Sequence, residues 1–213
     1  MAVYSKPIVM IDFETTGLSP DMGDRITEVA AIRIVDGRIT DRYVSLINCN
    51  VRIPSFITGL TGITQRMVDT APPVAEVLPE LLDFIGADAM AAHNASFDEK
   101  FLRAEAARLG MVPGHVGTVC SLKLSRRVFP TLGSYKLGQL SGQLGIHFKS
   151  AAHRAESDAE VAAQVLLHIG HHIGETYGIA EVEPELLLSV NKLAAAKVHS
   201  YLLKHAGGLR AAR

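Results

Sequence analysis

The stretch IVMIDFETTG, residues 8–17, decides how this chain is read. Its apolar, β-branched opening reads as a buried strand, and strand side chains alternate between faces. Asp12 and Glu14 stand two residues apart, so both carboxylates leave the same face. Two adjacent anions repel, and burying them unpaired carries a large desolvation cost. Either the strand ends in solvent there, or positive charge lies between the two acids.

Outward from that strand, taken as residues 7–13, GLSPDMGD (17–24) reads as a loop because it holds two glycines and a proline. RITEVAAIRIV (25–35) and RITDRYVSLIN (38–48) read as strands joined by the hairpin turn Asp36-Gly37. Val74, Val77, Leu78, Leu81, Leu82 and Ile85 recur at helical spacing over 73–86. ADAMAAH (87–93) suits a short buried strand, after which Asn94 or Ser96 can cap a helix running to Leu109 and stopped by Gly110. VGTVCS (116–121) reads as a fifth strand, followed by a short helix through LKLSRRVF and another marked by Leu137, Leu140 and Leu144. A long amphipathic helix spans 155–173, and a last one runs from Pro184 to His205. Helices alternating with strands after residue 70 predict helices packed on a mixed sheet.

The 213 residues, 48% hydrophobic and 20% charged, suffice for one sizeable core with a short appendage. A formal net charge of −1 provides no global basic field, which argues against a non-specific nucleic-acid coat protein. Cys49 and Cys120 are too few for a disulfide scaffold and lack metal-type spacing, so a reducing compartment is expected. No segment reaches the ~18 uninterrupted apolar residues of a membrane span, and the N-terminus carries acids where a signal peptide is apolar. A soluble, cytoplasmic protein without membrane contact is the expectation.

Beyond Asp12 and Glu14, two stretches stand out: HNASFD (93–98), with Asp98 in the first turn of a helix, and HRAESD (153–158), with His153 and Asp158. Singly, Asp98 reads as a helix-start acid favoured by the macrodipole. Asp158 alone reads as a solvated helix acid, and His153 as a surface or satisfied core residue. Taken in order, however, D-x-E, N-x-x-F-D and H-x-A-x-x-D resemble the DEDDh (DnaQ-like) family of 3′–5′ exonucleases, which includes the proofreading subunit of bacterial DNA polymerase III. TTG (15–17), RITEVAAI (25–32), GLTGIT (59–64), LSRRVFP and YKLGQL extend the likeness over about residues 6–170.

The chemistry accounts for those residue types. Four gathered carboxylates repel one another unless cations join them, and hard oxygen ligands select Mg²⁺ or Mn²⁺. Two such ions about 3.5–4 Å apart can clamp the attacking and leaving oxygens of an in-line displacement at phosphorus. The resemblance implies that Asp12 bridges two ions, that Glu14 and Asp158 complete the nucleophile-side site, and that Asp98 acts chiefly through water ligands. His153 would be the general base, since an imidazole with a reference pKa near ~6.5 is mostly neutral at working pH. On one α-helix, positions five apart differ by about 500°, so His153 must precede the helix that carries Asp158. The loop HFKSAAHRA (147–155) is expected to be mobile without substrate and to order over metal and nucleotide.

For substrate, the resemblance implies that Thr15 holds the terminal nucleotide's 3′ end and that Leu18 and Leu60 flank its base. Asn94 and Phe97 belong to the same motif, and Phe97 either stacks on the nucleotide or packs in the core. Thr61 stands where a histidine is frequent in the family, which alters the contact to the terminal sugar or phosphate. Lys123, Arg126, Arg127, Lys136, Lys149 and Arg154 form either a basic rim for upstream phosphates or an ordinary solvated charge distribution. His168, His171 and His172 share zinc-compatible spacings, but no nearby cysteine or acid completes a site, and they read as solvent-facing.

The reading is therefore an α/β, RNase H-like exonuclease fold with a five-stranded mixed sheet flanked by helices. Residues 1–175 form the exonuclease domain, and 176–213 a helical extension packed on it or used to dock a DNA polymerase or a second copy. The expected activity is metal-dependent hydrolysis of single-stranded DNA 3′ ends to nucleoside 5′-monophosphates with two Mg²⁺ or Mn²⁺ ions. An RNA or oligoribonucleotide 3′–5′ exonuclease is the alternative enzyme, and a non-catalytic binding module the alternative from another class.

Overall fold

The computed structural model describes residues 2–147 and 153–211. In chain order come β1 (Ala2–Val3), β2 (Ile8–Thr15), β3 (Ile26–Val35), β4 (Arg38–Leu46), α1 (Ser55–Thr61), α2 (Gln65–Asp69), α3 (Val74–Ile85) and β5 (Ala89–Ala92). Then follow α4 (Ala95–Arg108), β6 (Thr118–Cys120), α5 (Ser121–Val128), α6 (Leu137–Gln143), α7 (Ala155–Tyr177), β7 (Glu181–Val182), α8 (Pro184–Lys192) and α9 (Ala195–Ala211). Five strands form one mixed sheet ordered β4-β3-β2-β5-β6, antiparallel at the first two junctions and parallel at the last two. Asp36 and Gly37 adopt φ values of 49° and 70°, the left-handed pair that a two-residue hairpin turn requires.

The alternation along β2 sorts the two cores. Ile8 and Met10 face α7, against Ala159, Ala162, Ala163 and Leu166. Val9, Ile11 and Phe13 face α3 and α4, against Val77, Leu81, Phe101 and Leu102. Asp12 and Glu14 continue the row of Ile8 and Met10, so they project on the α7 side. The sheet thus aims both acids at the helix that carries Asp158.

Three features depart from the sequence reading. First, α7 runs a turn further than expected, through Gly170 and Gly174 to Tyr177. A Cβ on Gly170 would lie 2.6 Å from Val3 Cγ1 and 2.7 Å from the Tyr4 hydroxyl, which itself donates to Leu166 O at 2.6 Å. The pair β1–β7, too short to show any periodicity, is what presses there. Gly170→Ala is therefore expected to lower unfolding stability by about 1–3 kcal/mol, the usual effect of overpacking, as read from a urea melt.

Second, α1 and α2 fill residues to which the sequence reading assigned no element; Ile53, Ile57, Ile63 and Val68 close a small core of their own beneath them. Third, the C-terminal helix is two helices. Leu193 is extended (φ −76°, ψ 152°), and its carbonyl accepts from both Nε and Nη2 of Arg127, at 3.1 and 2.8 Å. Asn191 treats the edge strand β6 as another strand would: its Oδ1 accepts from Cys120 N at 2.5 Å and its Nδ2 donates to Cys120 O at 3.3 Å. Leu186, Leu187, Val190, Val198 and Leu202 are buried in the α7-side core, so the apolar face of this segment is used within the chain. Both cysteines are free and buried. Among the described residues, no helix is long and apolar enough to cross a membrane.

Candidate active site

β5 pairs with β2 only from Ile8 to Ile11, so β2 outruns its parallel neighbour at the carboxyl end of the sheet. On that unpaired edge the Phe13 N–H donates to Asp98 Oδ1 at 3.3 Å, which brings α4's first turn to the acid pair. Asp98 is only 3% exposed. From the other side, Asp158 arrives in the first turn of α7. Single carboxylate oxygens of Asp12, Glu14 and Asp158 all lie within 4.8 Å of one another. Acids separated by more than 140 positions in sequence thus meet at one point.

The cluster strains its own protonation equilibria. Burial pushes Asp12 well above the usual carboxylate range, and the charges of Asp98, Asp158, Glu14 and Glu28 push it further. Burial, then Asp158 and Glu28, raise Glu14 to about 7, against the opposing pull of Arg154. Burial raises Asp98 to about 8 despite hydrogen bonds from its own N–H and that of Phe13. Asp158 is raised too, chiefly by burial, with the His153 N–H working the other way. The donors are hard carboxylate oxygens in mutual repulsion, a set compatible with a divalent cation. Asp12 and Glu14 thus face the same way into a group of acids whose oxygens could hold a cation.

Acids whose folded pKa is raised hold protons that the unfolded chain has lost, so their stabilisation is full below the unfolded value and disappears as pH rises through the folded one. For Glu14 and Asp98 that loss runs from the ordinary carboxylate range up to about 7 and about 8. The increase in Tm produced by Mg²⁺ should accordingly be larger at pH 8.5 than at pH 6. Scanning calorimetry with metal and with chelator measures the difference. An equal or smaller increase at the higher pH would contradict this account.

His153 lies outside α7, before its N-cap residue Arg154, with an exposed side chain and a left-handed φ of 62°. Its N–H donates to Asp158 Oδ2 at 2.8 Å. The expectation for the loop 147–155 falls largely on residues 148–152, outside the described residues, as does Lys149 of the basic rim.

The other expected residues divide. Leu18 and Leu60 are 78% and 52% exposed. Gly17, beside Leu18, has no room for a side chain, because the Asp24 carboxylate fills that space and accepts from Ser19 N at 2.9 Å. Thr15 is buried, and its hydroxyl donates to Gly17 O at 2.6 Å. Phe97 is half-buried, with its ring 5.0 Å from that of Phe101. Asn94 occupies the N-cap position of α4, but in the left-handed region (φ 74°) and without a side-chain cap bond, which corrects the capping expectation. Its side chain is exposed, two residues past the end of β5.

Thr61 is 4% exposed, and its hydroxyl donates to Ile57 O and accepts from Ile63 N, so its side chain is engaged at the end of α1. The basic rim shrinks for a similar reason: Arg127 is committed to Leu193, and Arg154 to Glu28 at 3.1 and 2.5 Å. Lys123, Arg126 and Lys136 stay exposed. His168 and His172 sit against Phe129, with ring centroids at 5.7 and 4.8 Å, and belong to no metal-type cluster among the described residues.

Two residues escaped the sequence reading. Glu28, 2% exposed, pairs with Glu14 across β2 and β3 and so faces the same cluster. An acid in phase with Ala30 and Ile32 on an apolar strand was the available signal. His93 is wedged between Ser121 and the Tyr135 carbonyl, each 2.9 Å from a ring nitrogen. A carbonyl only accepts, so Nε2 carries the proton and Nδ1 accepts from the Ser121 hydroxyl. The Nε2 bond to Tyr135 O ties the HNASFD turn to the segment entering α6.

The acid cluster thus stands at the carboxyl end of the central strand of the mixed sheet. Residues 9–166 match the exonuclease family RNase_T, and the chain belongs to that family. Over 161 residues it is 40% identical to the 3′-5′ exonuclease DinG of Bacillus subtilis, covering 76% of this chain and 17% of that protein's length. With the DNA polymerase III subunit epsilon of Aquifex aeolicus it shares 33% identity over 173 residues, 81% of this chain and 85% of the relative. A solved structure of Exonuclease X in complex with 5′ overhanging duplex DNA superposes with a TM-score of 0.68 at 26% identity, over 86% of this chain and 99% of that one.

Proposed function

We propose that the chain removes nucleoside 5′-monophosphates from single-stranded DNA 3′ ends, with Asp12, Glu14 and Asp158 holding two Mg²⁺ or Mn²⁺ ions and Asp98 supporting them through water. The observation that carries this is the convergence of three carboxylate oxygens within 4.8 Å, with Asp98 hydrogen-bonded to the strand between two of them. Divalent ions held there supply charge stabilisation to the phosphoryl oxygens and acidify the attacking water.

The chain's own residues do the remainder. His153 accepts the proton of the attacking water from its position at the mouth of the cluster. Leu18 and Leu60 offer exposed aliphatic surfaces to the terminal base, and half-buried Phe97 precedes Asp98 on α4. Thr15, its hydroxyl already donated to Gly17 O, would meet the sugar end through its backbone, while Asn94 offers an amide. Among the described residues of the expected rim, Lys123, Arg126 and Lys136 stay exposed for upstream phosphates. DNA is favoured because a relative spanned over 85% of its length is a DNA polymerase III subunit and a superposed exonuclease was solved with DNA. Retention of all four acids and His153 speaks against a module that only binds.

The test offers matched DNA and RNA oligomers labelled at their 5′ ends, with Mg²⁺ or with chelator. DNA should shorten stepwise and faster than RNA, and chelator should stop both. Equal or faster shortening of RNA would transfer the assignment to an RNA or oligoribonucleotide exonuclease.

A further inference from the structure

We propose that Glu28 is a positioning residue of the reaction: from β3 it caps the start of α7 and, through Arg154, fixes His153 at the acid cluster. The proposal rests on the reading of His153 as proton acceptor.

The first turn of a helix leaves backbone N–H groups without partners, and a local Ser, Thr, Asp or Asn side chain ordinarily satisfies one. In α7 the N-cap residue is Arg154, which makes no side-chain cap bond. The cap comes instead from across the fold. Glu28 Oε2 accepts from Ala155 N at 2.9 Å, and the same carboxylate takes Nε and Nη2 of Arg154 at 3.1 and 2.5 Å, from 126 positions away. Both its oxygens are therefore engaged by the two residues that follow His153.

His153 is in turn held on its own N–H by Asp158. A non-glycine residue at a φ of 62° persists only where its surroundings over-determine it, and here bonds on His153 itself and on the next two residues do so. Stability alone gives a poor account of the arrangement. Glu28 faces the cluster and adds to the repulsion that raises Asp12, Glu14 and Asp158. A serine at the N-cap would have capped α7 without that penalty. What a carboxylate at this point adds is a bidentate grip on Arg154, and with it a set path for the backbone at His153.

A double-mutant cycle in the full chain tests the proposal, using Glu28→Gln and His153→Asn, the latter because asparagine tolerates a left-handed backbone. Glu28→Gln should lower kcat about 10–100-fold, the scale on which a small misplacement acts. KM for a labelled oligomer should change little, and the Mn²⁺ affinity measured by calorimetry without substrate should stay within a factor of about three, because the three clustered acids are untouched. In the His153→Asn background the same change should have almost no further effect on kcat, since residues acting as a unit are not additive.

An undiminished penalty in that background, or no penalty in the parent chain, overturns the proposal and leaves Glu28 a structural cap. Unchanged kcat in His153→Asn alone overturns the general-base reading instead. Should Glu28→Gln fold poorly, Arg154→Met at the partly exposed end of the pair repeats the cycle with the same two outcomes.

Discussion

Asp12→Asn should lower exonuclease turnover by about 10³-fold or more and, in metal-free protein, raise Tm. The two effects have one source. Asp12 faces Asp98, Asp158, Glu14 and Glu28, and all four drive its pKa upward on top of its burial. Removing its charge relieves the most crowded carboxylate, and each kcal/mol relieved corresponds to about 2–4 °C in a chain of this size. The same change removes the shared ligand of the proposed ion pair. Charge stabilisation by bound metal amounts to several kcal/mol in a phosphoryl-transfer transition state, and at about 1.36 kcal/mol per tenfold this gives the stated loss. Single-turnover assays and calorimetry with chelator measure the two sides, and Mg²⁺ should raise Tm less in the variant than in the parent. Nuclease activity surviving unaltered in the purified variant would show that the reaction runs elsewhere. A Tm that falls would show that Asp12 is a structural acid rather than a repelled one.

The opposed signs of that prediction also explain which parts of the molecule could be read from sequence. β2, the Asp36-Gly37 hairpin, α3, α4 and α7 each carry their own pattern: a period of two or 3.6, a left-handed turn pair, or a breaker. Asp12 and Glu14 were legible for the same reason, because two acids in phase on an apolar strand conflict locally with burial and ask for a partner. What was illegible depends on contacts distant in sequence. β1 and β7 are two residues each and exist only as each other's partner. The break at Leu193 follows from Arg127, which approaches from α5 to take its carbonyl.

Arg127 and Arg154 read as rim cations because nothing in LSRRVFP or HRAESD shows that their guanidinium groups are already engaged. Glu28 is the most instructive case. It obeys the same in-phase rule as Asp12 and Glu14, yet its strand carries only one acid on that face, and a single acid reads as an ordinary exception. The register that sets Glu28 opposite Glu14 turns the exception into a fifth carboxylate of the site.

His153→Asn should lower kcat by about 10²–10⁴-fold, the usual contribution of a general base, while leaving metal affinity nearly unchanged. The geometry separates these two properties. The bond that His153 makes to the cluster comes from its backbone N–H, donated to Asp158, and asparagine keeps that donor. Asparagine also accepts the left-handed φ of 62° better than alanine does, so the start of α7 and its grip on Glu28 are preserved. Only the imidazole is lost. Calorimetric titration with Mn²⁺ should give a similar affinity in parent and variant, and Tm in chelator should move by a few degrees at most. Turnover on a labelled single-stranded oligomer should collapse, with binding of the oligomer in the presence of Ca²⁺ retained. A kcat within a factor of about ten of the parent would place proton transfer on solvent instead, and His153 would then be a hinge residue chosen for its backbone. Loss of metal affinity alongside kcat would mean that the imidazole, and not only the N–H, belongs to the cation site.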